Sequence, residues 1–139
     1  MISTRGRYAL RVMIDIAENG GEGYIPLDGI AKRQEISEKY LESILVILTR
    51  GGLLLGLRGK GGGYKLTKAP EKYTIGSILR LTEGSLSPVA CLKENAEPCK
   101  KRAECKTLPV WKGLNEAING YLDGVTLADL IRRGDDYSI

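Results

Sequence analysis

The sequence predicts a mainly α-helical protein with one small β-hairpin. Three segments in the first half of the chain carry apolar residues at helical spacing. A glycine-rich stretch, Gly59-Lys60-Gly61-Gly62-Gly63, lies between two short apolar segments and is typical of a hairpin loop. The chain has 139 residues, which is enough for one compact core and too few for two ordinary domains.

Three helices are predicted before the hairpin. The first covers Thr4–Asn19 and is followed by two glycines, which favour its termination. The second is short and covers residues 28–34. The third begins after Ser37, a residue type preferred at helix N-caps, and ends at Gly51. Since residues 35 and 36 alone separate the second helix from the third, we expect a helix-turn-helix.

The hairpin completes a recognisable order of elements. Residues 53–58 are predicted as a buried strand because they are almost continuously apolar, and residues 64–67 alternate as a second strand. The glycine loop between them lacks the spacing of a nucleotide-binding loop and no helix follows it directly. Helix, turn, helix, strand, glycine loop and strand are the elements of a winged helix-turn-helix.

The second half of the chain is predicted to be helical on both sides of an irregular segment. A helix capped by Thr74 runs to about Thr82 and is predicted to bury Ile75, Ile78, Leu79 and Leu81. Residues 84–105 are polar and show no period, a length of loop that is usually functional or disordered. A long helix covers residues 107–123, and a short final helix begins at Thr126. Apolar residues predicted on one side of the long helix are Val110, Trp111, Leu114, Ile118, Tyr121 and Leu122.

Charge and composition narrow the function. The net charge is +4, with 13 Lys/Arg against 8 Asp/Glu in residues 1–80 and 8 against 9 in residues 81–139. The basic excess in the first part suits a polyanionic partner, although a soluble basic surface would look the same. The sequence has no histidine, which excludes histidine-dependent catalysis, and we expect the protein not to be an enzyme. Without a long apolar run or a signal-peptide pattern, we expect a cytoplasmic protein that contacts no membrane.

The third helix and the hairpin carry the residues expected to contact double-stranded DNA. The start of a recognition helix must present polar side chains to the major groove, while a glycine-rich wing with cationic residues approaches a phosphate chain or a minor groove. Arginines of the first helix are further candidates for phosphate contacts. For each residue the alternative is an ordinary exposed surface position. The candidates are Lys39, Tyr40, Glu42 and Ser43 on the helix, Arg58 and Lys60 on the wing, and Arg5, Arg7 and Arg11.

Three cysteines lie in the irregular segment. Cys91, Cys99 and Cys105 have the spacing C-x7-C-x5-C, and their neighbours are mostly charged residues. Nearby positive charge favours the thiolate, which is the form that ligates metals or reacts. Three thiolates on a loop suit an iron–sulfur cluster with a further ligand from elsewhere. A redox thiol switch is the second interpretation. Structural zinc is the third, although the sequence lacks CxxC pairs and histidine.

Four segments carry a family resemblance. STRGRYALRVM, SEKYLESIL, LRGKGGGYKL and TIGSILRLTEG are similar to segments of the IscR-like winged-helix regulators, the family that includes NsrR and CymR, and the similarity extends over residues 2–131. The resemblance implies a transcriptional regulator that binds a double-stranded DNA operator as a homodimer. It also implies three units: residues 1–83 bind DNA, residues 84–106 form a cysteine-bearing cluster loop, and residues 107–139 contain the dimerisation helix and the short final helix.

The resemblance also implies roles for individual residues. Lys39, Tyr40 and Glu42 would contact bases, and Arg58 would enter the minor groove. The three cysteines would hold a cluster, [2Fe–2S] in preference to [4Fe–4S], that senses iron–sulfur, redox or nitric oxide status.

The fourth ligand of the cluster is where the sequence departs from the family. The positions that hold a histidine or an aspartate ligand in relatives are Leu108 and Arg7 here, and neither side chain can ligate iron. Members of the CymR type lack the cysteines and respond through a partner protein. A cluster-free thiol switch, or a winged-helix repressor controlled by a partner, is therefore the alternative function.

Overall fold

The structure is a computed structural model and describes residues 2–21, 23–92 and 106–136, with side chains described up to residue 132. In order along the chain, these residues form α1 (Thr4–Asn19), α2 (Leu27–Gln34), α3 (Glu38–Arg50), β1 (Leu54–Leu57), β2 (Gly63–Leu66), a 3-10 turn (Pro70–Lys72), α4 (Ile75–Glu83), a second 3-10 turn (Ala90–Leu92), α5 (Leu108–Asp123) and α6 (Leu127–Asp136). The mainly helical fold with one antiparallel hairpin agrees with the sequence-based prediction.

Helix α1 is the central element of the core. Ser3 caps its N-terminus by accepting a hydrogen bond from the Gly6 amide at 3.1 Å. The helix contacts α2, α3, α4 and α6. Four of its apolar residues are buried at helical spacing: Ala9, Val12, Met13 and Ile16. Because several elements pack around this one stripe, the helix-turn-helix and the second half of the chain share a single core.

A buried carboxylate ties α1 to the helix-turn-helix. Asp15 is 4% exposed, and Arg33 of α2 donates to both of its oxygens at 2.7–3.1 Å. Gln34 donates to the same carboxylate at 2.9 Å. The hydrogen bond to Asp15 raises the pKa of Arg33 above its ordinary value. Because these hydrogen bonds join Asp15 of α1 to two residues of α2, they fix the orientation of α2 relative to α1.

The turn between α2 and α3 contains a residue in the left-handed conformation. Glu35 has φ 55° and ψ 45°, and the amide of Ile36 donates back to the Ala31 carbonyl at 3.1 Å. This is the hydrogen-bond pattern of a Schellman motif, which ends α2 abruptly. Ser37 then caps α3 by accepting from the Tyr40 amide at 3.1 Å, as the sequence predicts.

The hairpin is a two-stranded sheet with one β-bridge on its outer edge. β1 and β2 pair with Leu54 opposite Leu66 and Leu57 opposite Gly63. On the other edge of β2, Ile25 exchanges two backbone hydrogen bonds with Tyr64 at 2.8 and 2.9 Å. Gly63 has φ 146°, and a Cβ there would collide with the Ile25 carbonyl, so this close approach requires glycine.

Two expectations about burial are wrong. Within β1 only one face covers the core: Leu54 is buried, whereas Leu55 and Leu57 on the other face are 46% and 49% exposed, and the buried Leu53 precedes the strand. The reason is the alternation of side chains along a strand with helices on one side. Leu81, predicted as a core residue of α4, is 37% exposed and lies at the edge of the core against Gly51, at the end of α3.

The hydroxyl of Tyr73 joins both ends of the hairpin to the helical core. Tyr73 is fully buried between the 3-10 turn and α4. Its hydroxyl donates to the Leu53 carbonyl at 2.9 Å and accepts from the amides of Thr67 and Lys68 at 2.8 and 3.2 Å. Leu53 precedes β1 and Thr67 follows β2, so the Tyr73 hydroxyl joins the two ends of the wing, and the Thr67 hydroxyl does so as well by donating to the Gly52 carbonyl at 2.9 Å.

Helix α5 lies on the outside of this core. None of its residues is buried in the described chain, and it packs mainly against α4. The chain then returns: the Ile75 amide donates to the Val125 carbonyl and the Leu127 amide donates to the Tyr73 carbonyl, both at 2.9 Å. Thr126 and Asp129 cap α6 reciprocally, with bonds of 3.0 and 3.1 Å. None of the described helices has the length and apolarity required to cross a membrane.

We predict that Tyr73→Phe lowers the free energy of unfolding by about 2 kcal/mol, because it removes the acceptor of the Thr67 and Lys68 amides and the stronger of two donors to the Leu53 carbonyl. Urea denaturation at fixed protein concentration measures the change. The matched control is Tyr24→Phe, whose half-buried ring contacts the Lys65 ammonium and should change stability by less than about 0.5 kcal/mol. Equal losses in the two variants would contradict the role assigned to the Tyr73 hydroxyl.

Candidate nucleic-acid interface

The outer face of α3 presents polar residues at the start of the helix. Lys39, Glu42 and Ser43 are exposed, and the opposite face of α3 buries Leu41, Ile44, Leu45 and Leu48 in the core. The Ser43 hydroxyl donates to the Tyr40 carbonyl at 2.6 Å, so its oxygen can still accept a hydrogen bond from a ligand. Such a face, anchored from behind, is what a major-groove reader requires.

Tyr40 differs from the other three candidates on α3. It is half-buried and packs against the core, with its ring edge-to-face against Tyr8 of α1 at 5.8 Å between centroids. The Arg11 guanidinium lies 4.8 Å from the centre of the Tyr8 ring. Tyr40 therefore anchors the start of α3 to α1, and base contact by this residue stays a prediction.

The wing presents both of its predicted cationic residues to solvent. Arg58 and Lys60 are exposed on either side of the tip. Gly59 and Gly61 have φ of 92° and 78°, a region that L side chains rarely adopt. The tip therefore combines positive charge with a backbone of little bulk, which suits close approach to a phosphate chain.

The arginines of α1 divide into two groups. Arg5 and Arg7 are exposed in its first two turns, and Arg7 donates to the Thr4 hydroxyl at 3.3 Å. Arg11 donates to the Gln34 side chain at 2.9 Å and lies over Tyr8, so it holds α1 against α2. Arg5 and Arg7 remain candidates for phosphate contacts.

Sequence reasoning missed two residues on the exposed row of α3. Val46 and Arg50 follow Lys39 and Ser43 at spacings of four, three and four residues, and all four side chains are exposed. Val46 and Arg50 also line a groove of about 320 Å³ between α3 and the wing. The signal was present in the helical spacing, but an exposed valine is not distinguishable from a core residue by its type.

The structure describes one of the three predicted metal ligands. Cys91 is exposed in the 3-10 turn Ala90–Leu92, and Cys99 and Cys105 lie outside the described residues. Among residues 2–21, 23–92 and 106–136, no group of three or more His, Cys, Asp or Glu side chains is placed to hold a metal ion. Leu108 begins α5 and Arg7 bonds Thr4, so the family's fourth-ligand positions are held by side chains that do not ligate iron.

The turn that carries Cys91 is attached to the core close to α5. Leu86 is buried, and the Ser87 hydroxyl donates to the Leu92 carbonyl at 2.9 Å. Leu86, Ser87 and Leu92 line a polar cavity of about 430 Å³ together with residues of α4 and α5. Cys91 is therefore adjacent to the junction of these two helices.

Arg80 joins α4 to α5 at that junction. Its guanidinium donates to both carboxylate oxygens of Asp123 at 2.7 and 2.9 Å and to the Asn119 side-chain oxygen at 2.6 Å. The hydrogen bond from Arg80 lowers the pKa of Asp123 below its ordinary value. The bidentate geometry sets the orientation of α5 relative to α4.

Helix α5 has two apolar faces. Ile118 and Leu122 are half-buried and pack against the core of their own chain. Val110, Leu114 and Tyr121 point outward, at 62%, 40% and 63% exposure. The single stripe predicted from the sequence is therefore divided between an inner face and an outer face.

Comparison with known proteins gives the family. The family model Rrf2, described as an iron-dependent transcriptional regulator, matches residues 2–133. The chain belongs to the Rrf2 family of transcriptional regulators. It is 36% identical over 134 residues to the HTH-type transcriptional regulator IscR of Serratia proteamaculans, covering 96% of this chain and 80% of that protein.

Solved structures of Rrf2 regulators share the fold. The structure of CymR, the global cysteine regulator of B. subtilis, superposes with a TM-score of 0.77 at 39% identity, covering 96% of this chain and 97% of CymR. The structure of T. potens IscR gives a TM-score of 0.79 at 32% identity, covering 100% of this chain and 91% of that one. These Rrf2 relatives confirm the winged-helix fold, the family resemblance and a DNA-binding regulator that is not an enzyme.

Proposed function

We propose that this Rrf2 regulator binds a double-stranded DNA operator as a homodimer and senses iron–sulfur, redox or nitric oxide status through Cys91, Cys99 and Cys105. The observation that carries the DNA-binding part is the pairing of two exposed elements. The second half of α3 and the hairpin line one groove, and the hairpin is joined to the core by Tyr73.

The two elements divide the reading of the duplex. Lys39, Glu42 and Ser43 enter the major groove, where a glutamate accepts a hydrogen bond from a cytosine amino group. Arg58 enters the adjacent minor groove, where a guanidinium meets enhanced negative potential. Lys60, Arg5 and Arg7 bind phosphates, which position the protein without specifying sequence.

The homodimer forms through the outer face of α5. Val110, Leu114 and Tyr121 form an exposed apolar stripe at spacings of four and seven residues. Gly113 and Gly120 lie beside it, and in the described part of the chain no other side chain or loop occupies the space next to them, so a second helix has room to approach closely. A second copy of this chain supplies the same stripe, which is the self-complementary contact that a twofold axis requires.

The cluster is held by the three cysteine thiolates, with [2Fe–2S] favoured over [4Fe–4S]. The exposed position of Cys91 and the three-thiolate donor set support this assignment. When bound, the group supplies a site whose redox state and integrity respond to oxidants and nitric oxide. The fourth ligand is an oxygen donor or an exogenous thiol, because Leu108 and Arg7 are excluded by their chemistry.

Residues of this chain transmit the signal from Cys91 to the recognition helices. A shift of the Ala90–Leu92 turn moves the segment that follows α4, and Arg80 connects the end of α4 to Asp123 of α5. Since α5 forms the dimer contact, a change at this junction alters the spacing of the two α3 helices.

We predict that Arg58→Ala weakens binding to a duplex, selected by the wild-type protein from a randomised pool, by roughly 10- to 100-fold, because a minor-groove guanidinium is lost. Fluorescence anisotropy at fixed salt measures affinity, and circular dichroism checks the fold. The matched control, Arg132→Ala, removes the same charge from an exposed position of α6 and should change affinity less than about two-fold. Unchanged binding of Arg58→Ala would remove the wing from the interface.

We predict that protein purified without oxygen is brown and contains about two iron and two sulfide per chain. Cys91→Ala, Cys99→Ala and Cys105→Ala should each lose the colour, whereas Lys106→Gln, a change beside Cys105, should retain it. Absorption spectra and iron and sulfide analysis measure the outcome.

Colourless wild-type protein, even after reconstitution with iron and sulfide, would contradict cluster binding. If such a colourless protein still binds DNA, the alternative function applies, which is a cluster-free thiol switch or a repressor controlled by a partner. A protein-interaction module that binds no specific duplex at any salt concentration would contradict the whole proposal.

A further inference from the structure

A groove separates the recognition helix from the wing. Its volume is about 320 Å³, and its lining comes from the second half of α3 and from the hairpin. Val46 on the α3 side and Leu57 on the wing side are 45% and 49% exposed, so part of the groove lining is apolar. Arg50 lines the groove from α3 and Arg58 lines it from the wing, and both are exposed.

The two arginines leave an uncompensated positive charge at this groove. Within the residues that the structure describes, neither Arg50 nor Arg58 forms an ion pair with a carboxylate. Two guanidinium groups across one groove repel each other and favour an anion between them. An apolar floor between two cations suits a ligand that has an anionic part and a non-polar part.

The geometry of duplex DNA supplies such a ligand at this place. When α3 lies in a major groove and the wing lies in the neighbouring minor groove, the sugar–phosphate chain that separates the two grooves must run between them. That chain alternates phosphates with deoxyriboses, which offer C–H groups to apolar side chains. The groove between α3 and the wing is therefore positioned to receive one DNA strand.

We propose that Arg50 is a phosphate-binding residue that seats one strand of the operator in this groove, with Val46 and Leu57 packed against the deoxyriboses beside that phosphate. This inference rests on the proposed DNA-binding function and adds a contact that fixes how deeply α3 enters the major groove. Arg50 continues the row that begins with Lys39 and Ser43, so it faces the duplex whenever those residues do.

The test pairs a protein variant with a neutralised phosphate. The probe is a duplex selected by the wild-type protein from a randomised pool, made as a series in which each phosphate in turn is replaced by an uncharged methylphosphonate. Arg50→Gln is compared with Arg132→Gln, which removes the same charge from α6, and with Arg50→Lys, which keeps the charge. Affinity is measured for each pair over a range of salt concentrations.

The proposal expects Arg50→Gln to bind the unmodified duplex roughly ten-fold more weakly and to reduce the magnitude of the salt slope by about two, because the homodimer loses one phosphate contact in each half-site. Arg50→Lys should restore the slope, and Arg132→Gln should leave both quantities unchanged. One methylphosphonate position per half-site should weaken wild-type binding roughly ten-fold and Arg50→Gln binding less than about two-fold.

Different failures point to different parts of the account. If every methylphosphonate weakens the wild-type protein and Arg50→Gln equally, Arg50 contacts no phosphate and the proposal is overturned. An unchanged salt slope in Arg50→Gln overturns it as well. If the wild-type protein selects no sequence from the pool, the proposed DNA-binding function itself is contradicted, and the proposal for Arg50 fails with it.

Discussion

The position of the wing depends on the hydrogen bonds at its base, which centre on the buried hydroxyl of Tyr73 and include the Thr67 hydroxyl. A two-stranded hairpin in water is marginally stable, and here only one face of it is covered by the core. Tyr73 compensates by placing a single oxygen between the residue before β1 and the residues after β2, where it donates to one strand end and accepts from the other. The ring that carries this oxygen is fully buried, so the wing is held relative to α3 rather than only tethered to it.

A fixed distance between wing and helix matters because the duplex is itself rigid. Affinity for DNA comes largely from phosphate contacts, whereas sequence is read at base edges. Both kinds of contact are stronger when the binding surface is preorganised, because less conformational entropy is lost on binding. The buried Asp15 constrains the recognition helix in a similar way, since its hydrogen bonds fix α2, and hence α3, against α1. The outer face of α5 adds the last constraint, as it relates one such reading surface to another in the proposed dimer.

Much of this architecture was predictable from the sequence, and the failures have physical causes. Ser37, Thr74 and Thr126 were identifiable as caps because short hydroxyl side chains compete for helix N-termini. Leu55, Leu57 and Leu81 were assigned to the core wrongly, since apolar character does not show which face of an element is covered. Tyr73 was missed because its role depends on partners that are 5 to 20 residues distant in the chain.

The candidate site was predictable to a similar degree. The exposed positions of Lys39, Glu42, Arg58 and Lys60 follow from the helical spacing and the glycine loop. The packing of the Tyr40 ring against Tyr8 was not predictable, because it is a contact between separate helices that no local pattern contains. The division of the α5 stripe into two faces is likewise a consequence of tertiary packing, because the residue types on the two faces are the same.

The most direct measurement is a hydroxyl-radical footprint on a duplex that the wild-type protein has selected. The account predicts two symmetric regions of protected deoxyriboses, one where each wing enters the minor groove, and a single weak region for the variant Leu114→Glu, whose α5 stripe carries a charge. A footprint without minor-groove protection, or one that Leu114→Glu leaves symmetric and undiminished, would contradict it.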